Sequence, residues 1–278
     1  MLNFKISGFA DEIDANFDVQ IEGLKKLGIS YIEPRGIDGK NISCVTPEEA
    51  KAAKAKLDAA GIKVSSLGSP IGKIPVDGDF EGHKLGLKKM IELAKIFDTK
   101  YIRMFSFFVP EGKAADYKDI VLKNVKEMVE IAAEHDIILL HENEKEIYGD
   151  IPERCLEIIE YVNSPYLGVV FDPANFIQCG ANVLDAYEML KDHITYVHIK
   201  DALANGEVVP AGYGEGNLPV ILNKLAEKGY DGFTSLEPHL GSFTGLAGLE
   251  NSDIASKLPE GGFDKFELAY KALKNIIG

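Results

Sequence analysis

The chain has 278 residues, and this length is enough for one large barrel or two ordinary domains. Of these residues, 46% are hydrophobic and 27% are charged. Its formal net charge of -14 would repel a phosphodiester backbone, so the composition argues against nucleic acid as a partner. No apolar run approaches the roughly 20 residues that span a bilayer, and the N-terminus lacks the basic start of a signal peptide, so we expect a cytoplasmic protein without membrane contacts.

Strands and helices alternate along the chain. After an opening strand, FKISGFA, there are seven joints at which an amphipathic helix ends in a short turn and an apolar run begins. The predicted strands lie at about residues 4–10, 31–35, 63–68, 101–107, 137–142, 167–172, 196–200 and 232–237, and a last helix at about 264–277. Eight such units predict one domain over residues 1–278, a single (β/α)8 TIM barrel of the α/β class. A doubly wound open sheet is the alternative, but no GxGxxG follows the first strand.

Several loops that connect a predicted strand to the next helix are long. They are SPIGKIPVDGD after strand three, FVPEGKAAD after strand four, DALANGEVVPAGYGEGN after strand seven and GSFTGLAGLENSDIASKLPEGGF after strand eight. Such loops are usually functional, and these lie on the face where barrel enzymes keep their active sites. Within them, AGYGEGN could present backbone N–H groups to an anion, but Glu215 and the lack of Lys or Arg favour a lid or tight turn. Lys73 is a candidate cation that reaches over the site.

Four residues of metal-ligand type stand near the ends of four consecutive predicted strands. Glu142 ends strand five, Asp172 ends strand six, His198 lies near the end of strand seven and Glu237 ends strand eight. Each interval is about one βα unit, so the side chains should meet at the barrel mouth. Three carboxylates there would repel one another unless a cation neutralised them. A lone strand-end carboxylate is usually a cap or turn residue, and Asp172 before Pro173 fits that interpretation, but it does not explain all four residues.

The donor set of three carboxylates and one imidazole is rich in hard oxygen ligands. It favours one divalent ion, with Mn²⁺ as our first choice, Mg²⁺ and Co²⁺ as close alternatives and Zn²⁺ as a further one. One or two open positions would suit neighbouring substrate oxygens and Lewis-acid chemistry on a hydroxycarbonyl compound.

Strand alternation adds candidates for substrate binding. Lys200 shares the inward face of strand seven with His198 and Tyr196, and Glu144 shares that of strand five with Glu142. Lys200 could donate to a substrate oxygen or pair with Asp201 or Glu144.

Further candidates stand at other strand ends. Arg35 and Arg103, at the ends of strands two and four, could bind substrate hydroxyls or a phosphate, or have structural roles. His141, Asn143 and His239 alternate out of phase with the ligands, and of these we keep His239 as a substrate-binding candidate.

The segments HENE, FDPANF, YVHIKDA, PAGYGEGNLP and SLEPHL resemble the xylose isomerase-like TIM-barrel superfamily, specifically its sugar phosphate isomerase/epimerase branch. The resemblance covers nearly the whole chain and includes YIEPRG and YIRMFSF. It implies that Glu142, Asp172, His198 and Glu237 bind one divalent metal. In the ketose 3-epimerases of this superfamily the two metal-binding glutamates are also the acid/base pair, which implies catalytic roles for Glu142 and Glu237. Those epimerases have a histidine where this chain has Asn175, which we keep as a substrate-binding candidate.

The activity implied by the resemblance is that of a metal-dependent sugar or sugar phosphate isomerase or epimerase, with proton transfer through a metal-bound enediolate. The alternative is a dehydratase of the inosose dehydratase type, which would expel a β-hydroxyl from a keto-polyol. The acidic charge and the six histidines argue against DNA repair of the endonuclease IV type, and non-catalytic sugar binding is a further alternative. Related barrels often dimerise, so a homodimer or homotetramer stays open, and the sequence identifies neither the sugar nor its phosphorylation state.

Overall fold

A computed structural model describes residues 2, 4–240 and 262–278. The barrel strands are β1 (Lys5–Gly8), β2 (Tyr31–Ile32), β3 in two segments (Lys63–Val64 and Leu67–Ile71), β4 (Tyr101–Met104), β5 (Ile138–Glu142), β6 (Leu167–Phe171), β7 (Ile194–Ile199) and β8 (Phe233–Leu236). Of the predicted loop after strand eight, at residues 241–263, residues 241–261 lie outside the described residues, and Gly262 and Phe263 begin the last helix.

Helices lie between successive strands and after the last one. They are α1 (Phe17–Leu27), α2 (Pro47–Ala60), α3 (Phe80–Ile96), α4 (Ala114–Ala133), α5 (Pro152–Val162), α6 (Pro173–Gln178), α7 (Val183–Leu190), α8 (Leu218–Glu227) and α9 (Gly262–Ile277). In the described part of the chain, no helix has the length and apolar character needed to cross a membrane.

The strands close into a ring. Seven of them form one parallel sheet in the order β1, β8, β7, β6, β5, β4 and the second segment of β3. The remaining gap is filled by β2, whose Tyr31 and Ile32 pair with the first segment of β3. On its other side, the backbone N–H of Glu33 donates to the carbonyl of Gly8 in β1 at 3.0 Å. The predicted (β/α)8 TIM barrel is therefore confirmed.

The helices cover the barrel with apolar faces, as α4 shows. Its residues Val121, Val125, Met128 and Ala132 recur at helical spacing and are all fully buried. Since all the barrel strands are parallel, their carboxyl ends lie at one edge. This arrangement brings side chains from the ends of β5, β6, β7 and β8 to the same mouth.

The predicted strand boundaries differ from the observed ones where the chain turns. Strand four was predicted to reach residue 107 but ends at Met104, because Phe107 has a left-handed φ of 66° that a strand cannot contain. Strand one ends at Gly8 rather than residue 10, because a short 3-10 helix begins at Ala10. Strand seven begins at Ile194, two residues before the predicted start.

Two short antiparallel hairpins were not predicted from the sequence. One pairs Gly36–Ile37 with Lys40–Asn41, and the other pairs Asp201–Ala202 with Val208–Val209. Each comprises only two residues per strand, which is too short for a periodic pattern to show. Both follow the carboxyl end of a barrel strand and therefore lie on the face that carries the candidate site.

Candidate metal centre

The structure brings together the four residues that the sequence predicted as ligands. Glu142 ends β5, Asp172 follows β6, His198 lies in β7 and Glu237 follows β8. One ligand atom from each lies within 4.8 Å of the other three, and all four residues are buried. Their assignment as ligands stays a prediction, while their convergence at the barrel mouth is observed.

One imidazole nitrogen is central to the cluster. His198 Nδ1 lies 3.0 Å from Glu142 Oε1, 3.2 Å from Glu237 Oε2 and 4.0 Å from Asp172 Oδ2. Asp172 Oδ2 is buried and accepts no geometrically good hydrogen bond in the described structure. Three carboxylate oxygens and a nitrogen that face one another in this way fit a hard divalent cation. The residues present are therefore a suitable donor set for the metal that the sequence predicted.

Opposing effects set the pKa values in this cluster. Burial alone would raise the pKa of Glu142, but His198 and Arg103 outweigh it and lower that pKa to about 2. For Asp172, burial prevails over the attraction of Lys200, and the pKa rises to about 7. Burial would lower the pKa of His198, but the carboxyl groups of Glu142 and Glu33 raise it well above its usual value. The protein's own cations thus partly offset the crowded carboxylates.

Lys200 neutralises two of the candidate ligands. Its Nζ lies 2.8 Å from Asp172 Oδ2 and 3.1 Å from Glu237 Oε2, and the residue is only 4% exposed. Burial opposes its charge, but the two carboxylates outweigh that effect and raise its pKa. The alternative raised from the sequence, a salt bridge to Asp201 or Glu144, is wrong, because Lys200 pairs with Asp172 and Glu237 instead. Asp201 accepts backbone N–H groups of a loop, and Glu144 pairs with Lys73.

The two arginines at the mouth are also held by protein groups. Arg103 Nη1 lies 3.1 Å from Glu142 Oε2, and Nη2 and Nε donate to the carbonyls of Gly68 and Ser69. Arg35 Nε donates to Asp11 Oδ2 at 2.9 Å, and its Nη1 lies 3.4 Å from Glu237 Oε1. Both guanidinium groups therefore offset the charge of candidate ligands.

Phe9 contacts both of these arginines. The guanidinium carbon of Arg35 is 4.7 Å from the Phe9 ring centroid, and that of Arg103 is 4.9 Å from it. The same ring lies edge-on to the imidazole of His198 at a centroid distance of 5.2 Å. Phe9 was not identified from the sequence, because a single aromatic residue at the end of an apolar strand carries no distinctive signal.

Asn175 lies beside the cluster, in the first turn of α6. Its Nδ2 donates to Glu142 Oε1 at 3.3 Å and to the carbonyl of Asn143 at 2.8 Å. The side chain of Asn143 in turn exchanges two hydrogen bonds with the backbone of Asp172, at 3.0 and 3.1 Å. These asparagines join the ends of β5 and β6, so Asn143 positions the strand end that carries Asp172.

Asp172 combines the two roles that the sequence presented as alternatives. Its Oδ1 accepts the backbone N–H of Asn175 at 3.0 Å and caps α6, whose first residue is Pro173. Its other oxygen, Oδ2, faces Lys200 and the cluster. The turn interpretation and the ligand interpretation therefore apply to different oxygens of one carboxylate.

Of the remaining candidates, His239 contacts the cluster, whereas Glu144 and His141 contact other groups. Glu144 is turned toward Lys73, whose Nζ lies 3.2 Å from its carboxylate. His239 reaches the site, with Nε2 3.4 Å from Glu237 Oε1 and 3.1 Å from Arg35 Nη1, because its left-handed φ of 45° breaks the strand alternation. His141 faces away from the cluster and bonds Ser106 Oγ at 3.0 Å.

The glycine-rich loop binds an internal carboxylate. Asp201 accepts the backbone N–H groups of Gly212 at 2.9 Å, Gly214 at 3.1 Å and Gly216 at 2.8 Å, and also that of Ala202. A Cβ on Gly214 would lie 2.3 Å from Asp201 Oδ1, so the close approach requires glycine. The N–H groups that could have received an anionic substrate therefore hold the loop to the end of β7.

Replacing Asp201 with alanine is expected to detach this loop. Four backbone N–H groups would lose their acceptor at once, two of them on the buried residues Ala202 and Gly216, so we expect the free energy of unfolding to fall by about 3 kcal/mol. Urea denaturation would measure the loss, and limited proteolysis would show new cleavage within residues 203–217. Asp185→Ala, on α7, is the control for the loss of a carboxylate elsewhere, and equal stability of the two variants would contradict the assigned role of Asp201.

Glu33 is a buried residue that reasoning from the sequence missed. It follows β2, is 0% exposed and lies 3.4 Å from His198 Nε2 through its Oε2. The available signal was its position, since Glu33 stands at a strand end as the four candidate ligands do. It was overlooked because β2 lies apart in sequence from the four consecutive strands.

The chain matches one protein family and is similar in sequence to individual relatives. The family described as xylose isomerase-like TIM barrel matches residues 21–256. Inosose isomerase of Halalkalibacterium halodurans is 26% identical over 237 residues, which cover 81% of this chain and 83% of that protein. The uncharacterised protein MJ1311 of Methanocaldococcus jannaschii is 31% identical over 162 residues, and the match spans about half of each protein, 54% of this chain and 55% of the relative.

Solved structures share the fold over nearly the whole chain. The IOLI protein with a bound zinc atom has a TM-score of 0.78 at 19% identity and covers 99% of this chain and 98% of its own. A probable 3-DHS dehydratase from Bacillus anthracis has a TM-score of 0.74 at 19% identity, with 98% and 99% covered. A xylose isomerase-like protein from Mycobacterium smegmatis in complex with magnesium has a TM-score of 0.69 at 17% identity, with 100% and 98% covered.

Proposed function

Because this chain belongs to the xylose isomerase-like TIM-barrel family, we propose that it is a divalent-metal-dependent isomerase or epimerase of a small carbohydrate. The observation that carries the proposal is the buried convergence of three carboxylates and one imidazole at the barrel mouth. Clustering of this kind is costly without a cation and is typical of catalytic metal sites.

Glu142, Asp172, His198 and Glu237 would hold the metal, with Mn²⁺ as the first choice. Among solved structures of the same fold, one contains zinc and another magnesium, which supports a divalent ion without deciding which one. When bound, the cation would polarise a substrate carbonyl and the hydroxyl beside it.

Glu142 and Glu237 are the proposed acid/base pair. They enter from β5 and β8, with β6 and β7 between them in the sheet. Carboxylates that flank a substrate in this way can remove a proton from one face and return one from the other. Return to the same carbon from the opposite face would be epimerisation, and return to the neighbouring carbon would be isomerisation.

The other candidates would bind and orient the sugar. Lys200 and Asn175 both bear N–H donors that contact the acid/base carboxylates, so they are placed to bond substrate oxygens near the reacting carbon. Arg35, Arg103 and His239 would hold Glu237 and Glu142 in position and border the substrate. Glu144, paired with Lys73, would contact the part of the substrate that extends toward the loops after β3 and β5.

A dehydratase is the second candidate, and Lys200 is the observation that favours it. Its buried ammonium group lies 2.8 Å from Asp172 and 3.1 Å from Glu237, where it could protonate a departing hydroxyl. The structural similarity to a probable 3-DHS dehydratase is consistent with this alternative.

The proposed substrate carries no phosphate. Arg35 and Arg103, the candidates for binding one, each pair with a carboxylate of the protein, as do the nearby Lys200 and Lys73. The backbone donors of the glycine-rich loop are likewise occupied by Asp201. A dianionic phosphate would therefore find carboxylates close to the cations that should bind it.

We expect kcat/KM for a free ketose to exceed that for its phosphate ester by at least about tenfold, which corresponds to about 1.4 kcal/mol. Coupled assays with matched pairs of free and phosphorylated sugars would measure the ratio. A preference for the phosphorylated member of each pair would overturn the proposal of an unphosphorylated substrate.

One experiment tests the function as a whole. The protein is loaded with Mn²⁺ and incubated with ketoses and inososes in deuterated water, and the products are analysed by NMR and mass spectrometry. Deuterium incorporation at a carbon beside the carbonyl, without loss of water, supports the isomerase or epimerase, and a product that lacks one molecule of water supports the dehydratase. A wild-type protein that takes up no divalent ion would contradict both.

A further inference from the structure

We propose that Glu33 is a positioning residue that sets the tautomer and orientation of the metal-binding imidazole of His198. The proposal rests on the metal site of the proposed function but not on the reaction carried out there. Glu33 lies on the side of the imidazole opposite the three candidate carboxylate ligands, at the end of β2.

The two nitrogens of His198 face different groups. Nδ1 faces Glu142, Asp172 and Glu237, at distances of 3.0 to 4.0 Å. Nε2 is buried and makes no geometrically good hydrogen bond in the described structure, and Glu33 Oε2 lies 3.4 Å from it. A ring nitrogen that binds a cation cannot carry a proton, so the remaining proton of His198 is placed on Nε2. Glu33 is the acceptor positioned to receive it.

Glu33 is itself held in place from within the barrel. Tyr196 donates its hydroxyl to Glu33 Oε2 at 2.9 Å, and the same hydroxyl lies 2.8 Å from Ser65 Oγ. Ser65 Oγ lies 2.6 Å from Ser7 Oγ, which extends the network to β1. All these residues are at most 1% exposed. The network lies inside the barrel, so Glu33 acts through His198 rather than by touching substrate.

Two aromatic rings restrict the imidazole further. The ring of Phe9 lies 5.2 Å from that of His198 at an interplanar angle of 75°, and the ring of Tyr196 lies 5.8 Å away at 85°. These edge-to-face contacts limit rotation of the imidazole about its side-chain bonds. Packing thus sets the plane of the ring, and Glu33 sets which nitrogen keeps the proton.

A purely structural role does not explain a carboxyl group at this position. Burying one inside a barrel costs free energy unless it is well paired, and Glu33 Oε1 has no hydrogen-bond partner in the described structure. An apolar side chain of similar size would avoid that cost. An outer carboxylate on a metal-binding histidine, in contrast, orients the ring and makes it a stronger ligand.

The test compares Mn²⁺ binding by isothermal titration calorimetry in the wild type and two variants, Glu33→Gln and Tyr196→Phe. We expect the Kd of Glu33→Gln to rise about 10- to 100-fold, because a neutral amide is a weaker acceptor for the Nε2 proton. Tyr196→Phe keeps the carboxyl group but removes a donor that holds it, so its Kd should rise less, and in the same direction. The second variant also keeps the proposal testable if Glu33→Gln does not fold.

The control is Gln20→Met, which removes two hydrogen bonds that the buried Gln20 side chain makes outside the barrel interior, to the carbonyls of Asp14 and Gly36. Its melting temperature should fall while its Kd for Mn²⁺ stays within about twofold of the wild type. If both Glu33→Gln and Tyr196→Phe behave like this control, Glu33 has only a structural role and the proposal is overturned. A wild type that binds no Mn²⁺ would contradict the proposed metal site instead, so the two failures are distinguishable.

Discussion

Replacing Glu142 with glutamine is expected to reduce turnover by about 10²- to 10⁴-fold while the barrel remains folded. Glutamine has nearly the same shape and can still accept a hydrogen bond from Asn175, which lies 3.3 Å from Glu142 Oε1. It cannot accept a proton, however, so one half of the proposed acid/base pair is removed. Arg103 loses its closest carboxylate but keeps its bonds to the carbonyls of Gly68 and Ser69.

The measurement must separate proton transfer from metal loading, because Glu142 is proposed for both. We would determine the Kd for Mn²⁺ by calorimetry, saturate the variant with metal, and then follow turnover and deuterium uptake from solvent. Glu160→Gln, on the exposed face of α5, is the matched control and should keep wild-type activity. Turnover within tenfold of the wild type in the fully loaded Glu142→Gln protein would exclude Glu142 as the proton-transfer group.

Replacing Lys200 with methionine is expected to lower the free energy of unfolding of the metal-free protein by about 3–5 kcal/mol. Methionine fills a similar volume, so the loss would come from charge rather than from packing. The ammonium group lies 2.8 Å from Asp172 and 3.1 Å from Glu237, and all three residues are buried. Without Lys200, these carboxylates would lose their shared cation and repel each other in a buried site.

A divalent cation should compensate for this loss, because it would neutralise the same two carboxylates. We therefore expect Mn²⁺ to raise the melting temperature of Lys200→Met by more than it raises that of the wild type. Urea denaturation with and without metal would measure both quantities. Lys191→Met removes a surface pair with Glu188 and should cost only about 0–1 kcal/mol, independent of metal. A metal-independent loss of that small size in Lys200→Met would show that Lys200 does not offset the charge of the cluster.

Predictions from the sequence were most successful where they depended on chain order. The eight strand positions, the parallel closure and the meeting of residues 142, 172, 198 and 237 all follow from the repeat of βα units, each of which returns the chain to the same end of the sheet. The alternation of side chains along a strand correctly predicted that Lys200 faces the barrel interior with His198. It failed for His239, whose left-handed backbone conformation no alternating pattern reveals.

Which groups each side chain contacts was decided only by the tertiary structure. Local periodicity determines which face and which end of a strand a side chain occupies, and for this protein that was enough to identify the barrel and its four candidate ligands. It does not determine what lies opposite, because barrel closure brings Phe9 after β1, Glu33 after β2 and Ser65 in β3 against β7 from more than 100 residues away in sequence. The contact of Glu33 with His198 depends on that closure. Lys200 pairs with Asp172 and Glu237 across neighbouring strands, and Asp201 binds N–H groups 11 to 15 residues further along its own loop. In each of these contacts, the distance between the groups depends on how the chain folds and cannot be obtained from their spacing in the sequence.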